Sequence, residues 1–187
     1  MGKMTNIIKY ITGCLVVVML QGSAAQSNYR ITKGTISFKS DAPLEMIKAY
    51  STEVQGIFIP AKKGFAFRVG VQSFKGFNGP LQKEHFNENY MESVRFPYAM
   101  FEGKIIEDIS LENNTTATIR AKGNLTVHGV SQERIIKCDI NIKNNTIFIR
   151  SNFSVMLADH NITIPKVVHE KLASEIKVDI NAEMNLQ

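Results

Sequence analysis

Residues 117–127, Ala117-Thr-Ile-Arg-Ala-Lys-Gly-Asn-Leu-Thr-Val127, put a small or apolar residue at every second position and a polar one between. Successive side chains of an extended chain point to opposite sides, so this period of two describes a strand with one apolar and one wetted face. The pattern continues outward. Ile136, Cys138, Ile140 and Ile142 alternate with Lys137, Asp139, Asn141 and Lys143. Ile147, Ile149, Ser151, Phe153, Val155 and Leu157 form a third set, and Ile176, Val178, Ile180, Ala182, Met184 and Leu186 a fourth. Such strands must hide their apolar faces against a second sheet or by closing into a barrel. Eleven or twelve residues at ~3.3 Å each span roughly 35–40 Å, about twice an ordinary strand. A barrel of such strands is tall, and about eight of them leave room for one small guest. Its interior suits a long, thin, apolar molecule better than a compact polar one.

The first half of the chain supplies the remaining elements. Tyr29 to Phe38 reads as a strand. Asp41-Ala-Pro-Leu-Glu45 reads as a helix start, with Asp41 as cap, Pro43 in the first turn, and Leu44, Ile47 and Ala49 or Tyr50 on one side. Val54 to Ile59 is a strand ended by Pro60. From Phe65 onward Phe65, Phe67, Val69 and Val71 share one face. The period lengthens between Pro80 and Ser93, which predicts helical turns with Phe86 and Tyr90 on a neighbouring stripe. Phe101, Gly103, Ile105, Ile109 and Leu111 resume the strand pattern. Asn113-Asn114 and Asn144-Asn145 are turns, and residues 162–172 a loop with a short helix. The fold class is all-β: one antiparallel domain with short helical insertions.

Residues 1–25 stand apart. Lys3 and Lys9 precede an apolar run from Ile11 to Leu20, and Ser23-Ala24-Ala25 offers small residues for cleavage. This is the pattern of a secretory signal peptide, with the run too short for a comfortable membrane span. Ile11-Thr12-Gly13-Cys14 looks like a lipobox, but its apolar run follows the cysteine instead of preceding it. The expectation is export to the periplasm or medium with no stable membrane anchor. Taking 25 residues from 187 leaves 162 for residues 26–187, enough for one domain with a sizeable core. Losing two lysines and no acid lowers the formal charge from +5 to +3. That mild charge carries no basic cluster and gives no support to nucleic-acid binding. Cys138 is then alone, so no internal disulfide can form, and its place on an apolar phase marks a buried, inert thiol.

Catalytic and metal motifs are not found. His85, His128, His160 and His169 show no three- or four-residue helical spacing and no cysteine pair beside them. There is no Gly-x-Ser-x-Gly elbow. An exported enzyme built on His85 or His160 ranks last among the readings, and neither enzyme activity nor a cofactor is expected.

Three stretches together resemble a known family. Gly123-Asn-Leu-Thr-Val-His-Gly-Val-Ser131 resembles the G-x-L-T-[IV]-H-G-V-[TS] signature of the YceI-like family of exported lipid-binding proteins. Phe153 to Pro165 is similar to that family's later strand and loop. Met91-Glu-Ser-Val-Arg-Phe-Pro97, with Phe101 four residues on, is similar to its F-D-x-x-x-[YF]-P-x-x-x-F segment, with Met91-Glu92 in place of Phe-Asp. The family's usual R-D-x-H-L stretch is replaced by Lys83 to Tyr90. The resemblance implies an elongated, lipocalin-like, eight-stranded antiparallel barrel holding a polyisoprenoid or other long-chain lipid. Strand phase and size then nominate Phe65, Phe67, Val69, Phe101, Ile149, Phe153 and Val155 as ligand-binding wall residues. The alternative is a non-enzymatic interaction module with a solidly packed barrel acting through its loops; a homodimer is compatible with either.

Overall fold

Two tight hairpins organise the long strands. Between β6 (Thr116–Val127) and β7 (Val130–Lys143) the turn is His128-Gly129, and between β7 and β8 (Thr146–Met156) it is Asn144-Asn145. All four turn residues have positive φ, at 51° and 72°, then 49° and 59°. Such primed turns match the right-handed twist of the strands they join. The computed structural model describes residues 28–187; the signal peptide expected at 1–25 lies outside them.

The strands run β1 (Tyr29–Asp41), β2 (Met46–Ser51), β3 (Gln55–Ile59), β4 (Gly64–Gly70), β5 (Tyr98–Ile105), β6, β7, β8 and β9 (Glu175–Leu186). Every pairing is antiparallel, in the spatial order β2-β1-β3-β4-β5-β6-β7-β8-β9, and β1 also pairs with β9. Strand β1 closes the barrel. One edge follows β9 from Tyr29 to Ser40, and the other meets β3 through Tyr29 opposite Phe58. Eight strands therefore form a closed antiparallel barrel, as the sequence predicts, and closure removes the exposed sheet edges. Strand β2 is a ninth, laid along the C-terminal half of β1 from Ile36 to Asp41.

That ninth strand corrects the helix expected after Asp41. The turn closes where the Ala42 amide donates to the Glu45 carbonyl at 3.1 Å, and Met46 returns opposite Asp41. Ala49 and Ser51 then face inward and are buried, while Met46, Lys48 and Tyr50 face out. A single helical turn has no neighbour to repay its nucleation, whereas six strand residues gain a ladder on β1. A second correction concerns residues 106–111, which are not strand. β5 stops at Ile105, and Ile109 and Leu111 pack on the core from a loop. Glu107 holds that loop by accepting from the Arg120 backbone amide at 2.7 Å and from its Nε at 2.6 Å.

The helical insertions fall where the period predicts them. α1 (Pro80–His85) runs into a wider turn over Phe86–Tyr90, and a short 3-10 turn covers Lys166–Val168. The apolar faces form one cluster in the lower barrel around Phe65, Ile142 and Met184. Two smaller clusters lie higher, around Phe74 and around Leu125.

Candidate functional site

The inward faces do not fill the barrel. At its lower level they leave a slot of about 130 Å³, walled by Phe65, Phe67, Phe101, Ile149 and others, and by Ile109 from the loop. Above it lies a chamber of about 600 Å³. Ile36, Val69, Ala99, Leu125 and Phe153 line both spaces and so form the neck between them. A chamber of this size lies within the range of small-molecule sites, roughly 300–1,000 Å³.

All seven wall residues nominated from the sequence stand on this cavity. Phe65, Phe67, Phe101 and Ile149 line the slot, Val69 and Phe153 the neck, and Val155 the chamber. Sequence reasoning missed the chamber's aromatic wall. Phe38 stacks on Phe86 at 5.3 Å between centroids and meets Phe74 at 5.4 Å and Phe77 at 6.0 Å. Phe38 is legible from the alternation of β1 and Phe86 from the helical stripe. Phe74 and Phe77 lie in a segment without period, so no local signal marks them.

The slot's lining is apolar apart from Arg68 and Ser151. Polar groups gather at the chamber's outer end, where Glu45, Asn78, Gln82, His85 and Lys171 contribute. Gln82 Nε2 donates to Glu45 Oε1 at 2.9 Å, and Asn78 Nδ2 to the Met46 carbonyl at 3.1 Å. These bonds tie α1 and the β1–β2 turn into one rim. Among the described residues no three or more of His, Cys, Asp and Glu gather as a metal site.

Cys138 also lines the slot. Burial pushes its thiol up, Asp139 adds to the rise, and a hydrogen bond with Ser151 opposes it. Nucleophilic thiolate is therefore scarce at neutral pH. Iodoacetamide at pH 8 should label Cys138 at least about tenfold more slowly in the native protein than in guanidinium; equal rates would show the slot wall to be open to water.

A second constellation lies at the chamber end. His128 Nδ1 is 3.1 Å from the His160 carbonyl oxygen, and its Nε2 is 3.1 Å from Glu92 Oε2. Carbonyl and carboxylate only accept, so a ring carrying a proton on each nitrogen satisfies both, and a neutral ring only one. His160 is fully buried, with Nδ1 3.0 Å from the Val130 carbonyl. Its Nε2 has no partner among the described residues. Phe96 meets His128 edge-on at 4.8 Å. Of the two histidines singled out as catalytic candidates, His85 lines the chamber and His160 is buried in this joint.

A family model described as "YceI-like domain" matches residues 18–184. The chain belongs to the YceI-like family. Solved structures agree on the fold. A polyisoprenoid binding domain from Saccharophagus degradans implicated in plant cell wall breakdown superposes with TM-score 0.73 at 10% identity, covering 85% of this chain and 98% of its own. BcnA of Burkholderia cenocepacia gives TM-score 0.66 at 14% identity over 80% of this chain and 95% of its own. The Campylobacter jejuni YCEI protein gives 0.53 at 16% over 67% and 75%. No curated protein sequence matches the chain significantly.

In this YceI-like chain the three family-like stretches meet at the His128 joint. The first supplies His128 and Gly129, the second Asp159 and His160, the third Glu92 and Phe96. Gln132 Nε2 donates to the Asp159 carbonyl at 2.7 Å and extends the joint. A Cβ on Gly129 would lie 2.3 Å from the Phe96 ring, so glycine is required there for packing as well as for its φ of 72°. Glu92, at the position where the Met91-Glu92 pair departs from Phe-Asp, places its carboxylate 3.1 Å from His128 Nε2. The joint anchors the segment from Phe86 to Met91, whose Phe86, Tyr90 and Met91 wall the chamber.

Proposed function

We propose that this protein is an exported, non-enzymatic carrier that sequesters a long-chain apolar lipid of the polyisoprenoid kind inside its barrel. The observation that carries the reading is a largely apolar slot joined through a neck to a wider chamber whose charged and amide side chains gather at its rim. The end of a tail fits the slot, and the rest of the chain fits the chamber. The polyisoprenoid binding domain of Saccharophagus degradans has the same fold and supports the choice of ligand class.

Burial alone supplies the affinity. A tail losing about 600 Å² of apolar surface gains roughly 15 kcal/mol at ~25 cal/mol/Å². Association and ordering offset about 4–15 kcal/mol of that, so useful binding needs no hydrogen bond. The interaction-module reading requires a filled barrel, and a 600 Å³ chamber argues against it. Among the described residues no helix is long and apolar enough to cross a membrane, which is compatible with a periplasmic or secreted carrier.

Native mass spectrometry of the protein purified from its own host should show one bound lipid mass per chain, released by organic solvent. Protein that is uniformly free of lipid, and that takes up none from detergent solution, refutes the reading.

A further inference from the structure

The rim of the chamber is built from three separate segments, and each exposes an aliphatic side chain beside one that walls the cavity. On the β1–β2 turn Glu45 lines the chamber and Leu44 is 67% exposed. On α1, Leu81 does both, at 61% exposure. On the turn after Pro165, Val168 lines the chamber and Val167 is 88% exposed. The segments touch. The Leu44 amide donates to the Glu170 carbonyl at 2.8 Å, and Gln82 reaches Glu45 as described. A single exposed aliphatic side chain is ordinary on a protein surface, but Leu44, Leu81 and Val167 on three separate segments concentrate apolar surface around one chamber.

Charges frame that rim. Lys83, Lys166 and Lys171 are exposed on the same segments and join no ion pair among the described residues. Of the neighbouring carboxylates, Asp41 is paired with Lys39 at 2.7 Å, Glu45 accepts a hydrogen bond from the neutral Gln82 amide, and Glu170 lies 4.0 Å from His169, which offsets it only when protonated. Glu84 is exposed beside Lys83. Lysines flanking projecting aliphatic groups suit an interface where stems lie in acyl chain and ammonium groups reach phosphate.

We propose that this rim docks on the surface of a phospholipid bilayer, with Leu44, Leu81 and Val167 entering the acyl boundary and the chamber opening toward it. The occupant follows from shape and from what lies behind. The rim presents separate convex tips instead of a groove for a protein segment, and it is continuous through Leu81 with a cavity for lipid. Resting on the carrier reading above, the rim is where a guest can pass between bilayer and barrel without crossing water.

The test is cosedimentation of the full-length mature protein with vesicles of phosphatidylethanolamine and phosphatidylglycerol. The wild type should partition to them. Leu44→Asp with Val167→Asp, neither of which lines the cavity, should lower that partition by roughly tenfold or more, the scale expected when two aliphatic side chains stop being buried. Leu81→Asp should lower it further. Ile135→Asp, which removes a 56% exposed aliphatic from the barrel wall, should leave it unchanged. Uptake of cis-parinaric acid from solution reports the cavity separately and should be unaltered in the Leu44/Val167 variant. Wild-type protein that takes up the probe but ignores vesicles overturns the docking and spares the carrier reading. Docking without any uptake does the reverse. Self-association lost in the rim variants would assign the rim to a second copy of the chain, and so also overturn the bilayer.

Discussion

Ala99→Phe should abolish high-affinity binding of long chains and leave short ones bound. Ala99 lies on β5 opposite Val69 of β4 and lines both chamber and slot. A ring at this position stands in the neck and bars the 130 Å³ slot beneath. A cavity of about 150 Å³ holds one benzene, so the slot takes about five or six carbons. At ~0.8 kcal/mol per buried methylene, exclusion of five of them loses about 4 kcal/mol, or a factor of about 10³ in affinity. A chain short enough to stay in the chamber should lose less than about tenfold, because the new ring also offers it apolar contact. The new ring enters the cavity and displaces no packed side chain, so Tm should move by only a few degrees. Fluorescence titration with a C8 and a C20 probe separates the two cases. Equal losses for both, or none for the longer, would show that the slot does not hold a tail.

The sequence carried those parts of the fold that depend on local periodicity. The alternation of β6 through β9 is a statement about which side chain faces which way, and the barrel kept every phase of it. Period also placed Phe65, Val69 and Phe153 on the inner wall. What it could not carry was set by distant partners. Residues 46–51 alternate only in their burial, since Met46 and Tyr50 share the outward phase with Lys48 and Ser51 lies inward, while Asp41 and Pro43 are local signals that describe a helix start; only the ladder on β1 decides between them. Phe74 and Phe77 enter the chamber from a segment held by the Tyr50–Lys75 bridge, a long-range contact that leaves no local pattern. The cavity itself was legible only as a direction. Periodicity says that apolar faces meet inside, and the register and the pinch between strands decide how much space they leave.

That pinch is set by two glycines, and Gly123→Ala should destabilise the protein severely for a single added methyl. Gly103 of β5 and Gly123 of β6 are direct register partners. A Cβ on Gly123 would stand 2.1 Å from the Glu102 carbonyl oxygen and 2.9 Å from the Gly103 Cα. A Cβ on Gly103 would meet the Lys122 carbonyl oxygen at 2.1 Å and the Gly123 Cα at 2.5 Å. The obstructing atoms are backbone, so no rotamer change can relieve the contact. The strands must part by about 1 Å, which strains the ladder bonds on either side. A loss of about 3–5 kcal/mol follows, large for one methyl group, and Tm should fall by about 10 °C or more for a domain of this length. The two sites share one gap. Once Gly123→Ala has parted the strands, Gly103→Ala meets less resistance, so the double variant should lose less than the sum of the singles. Gly70→Ala, whose nearest neighbour would be Ser73 at 3.9 Å, should change stability by less than about 0.5 kcal/mol. The effect reaches the site because the next inward pair along the same two strands is Phe101 with Leu125, both on the slot wall and Leu125 also in the neck. A Gly123→Ala protein that still folds should therefore hold a wider neck and discriminate less between long and short chains. Additive losses at Gly103 and Gly123, or unaltered chain-length selectivity in the folded variant, would show that the glycines serve some other purpose than drawing β5 and β6 together.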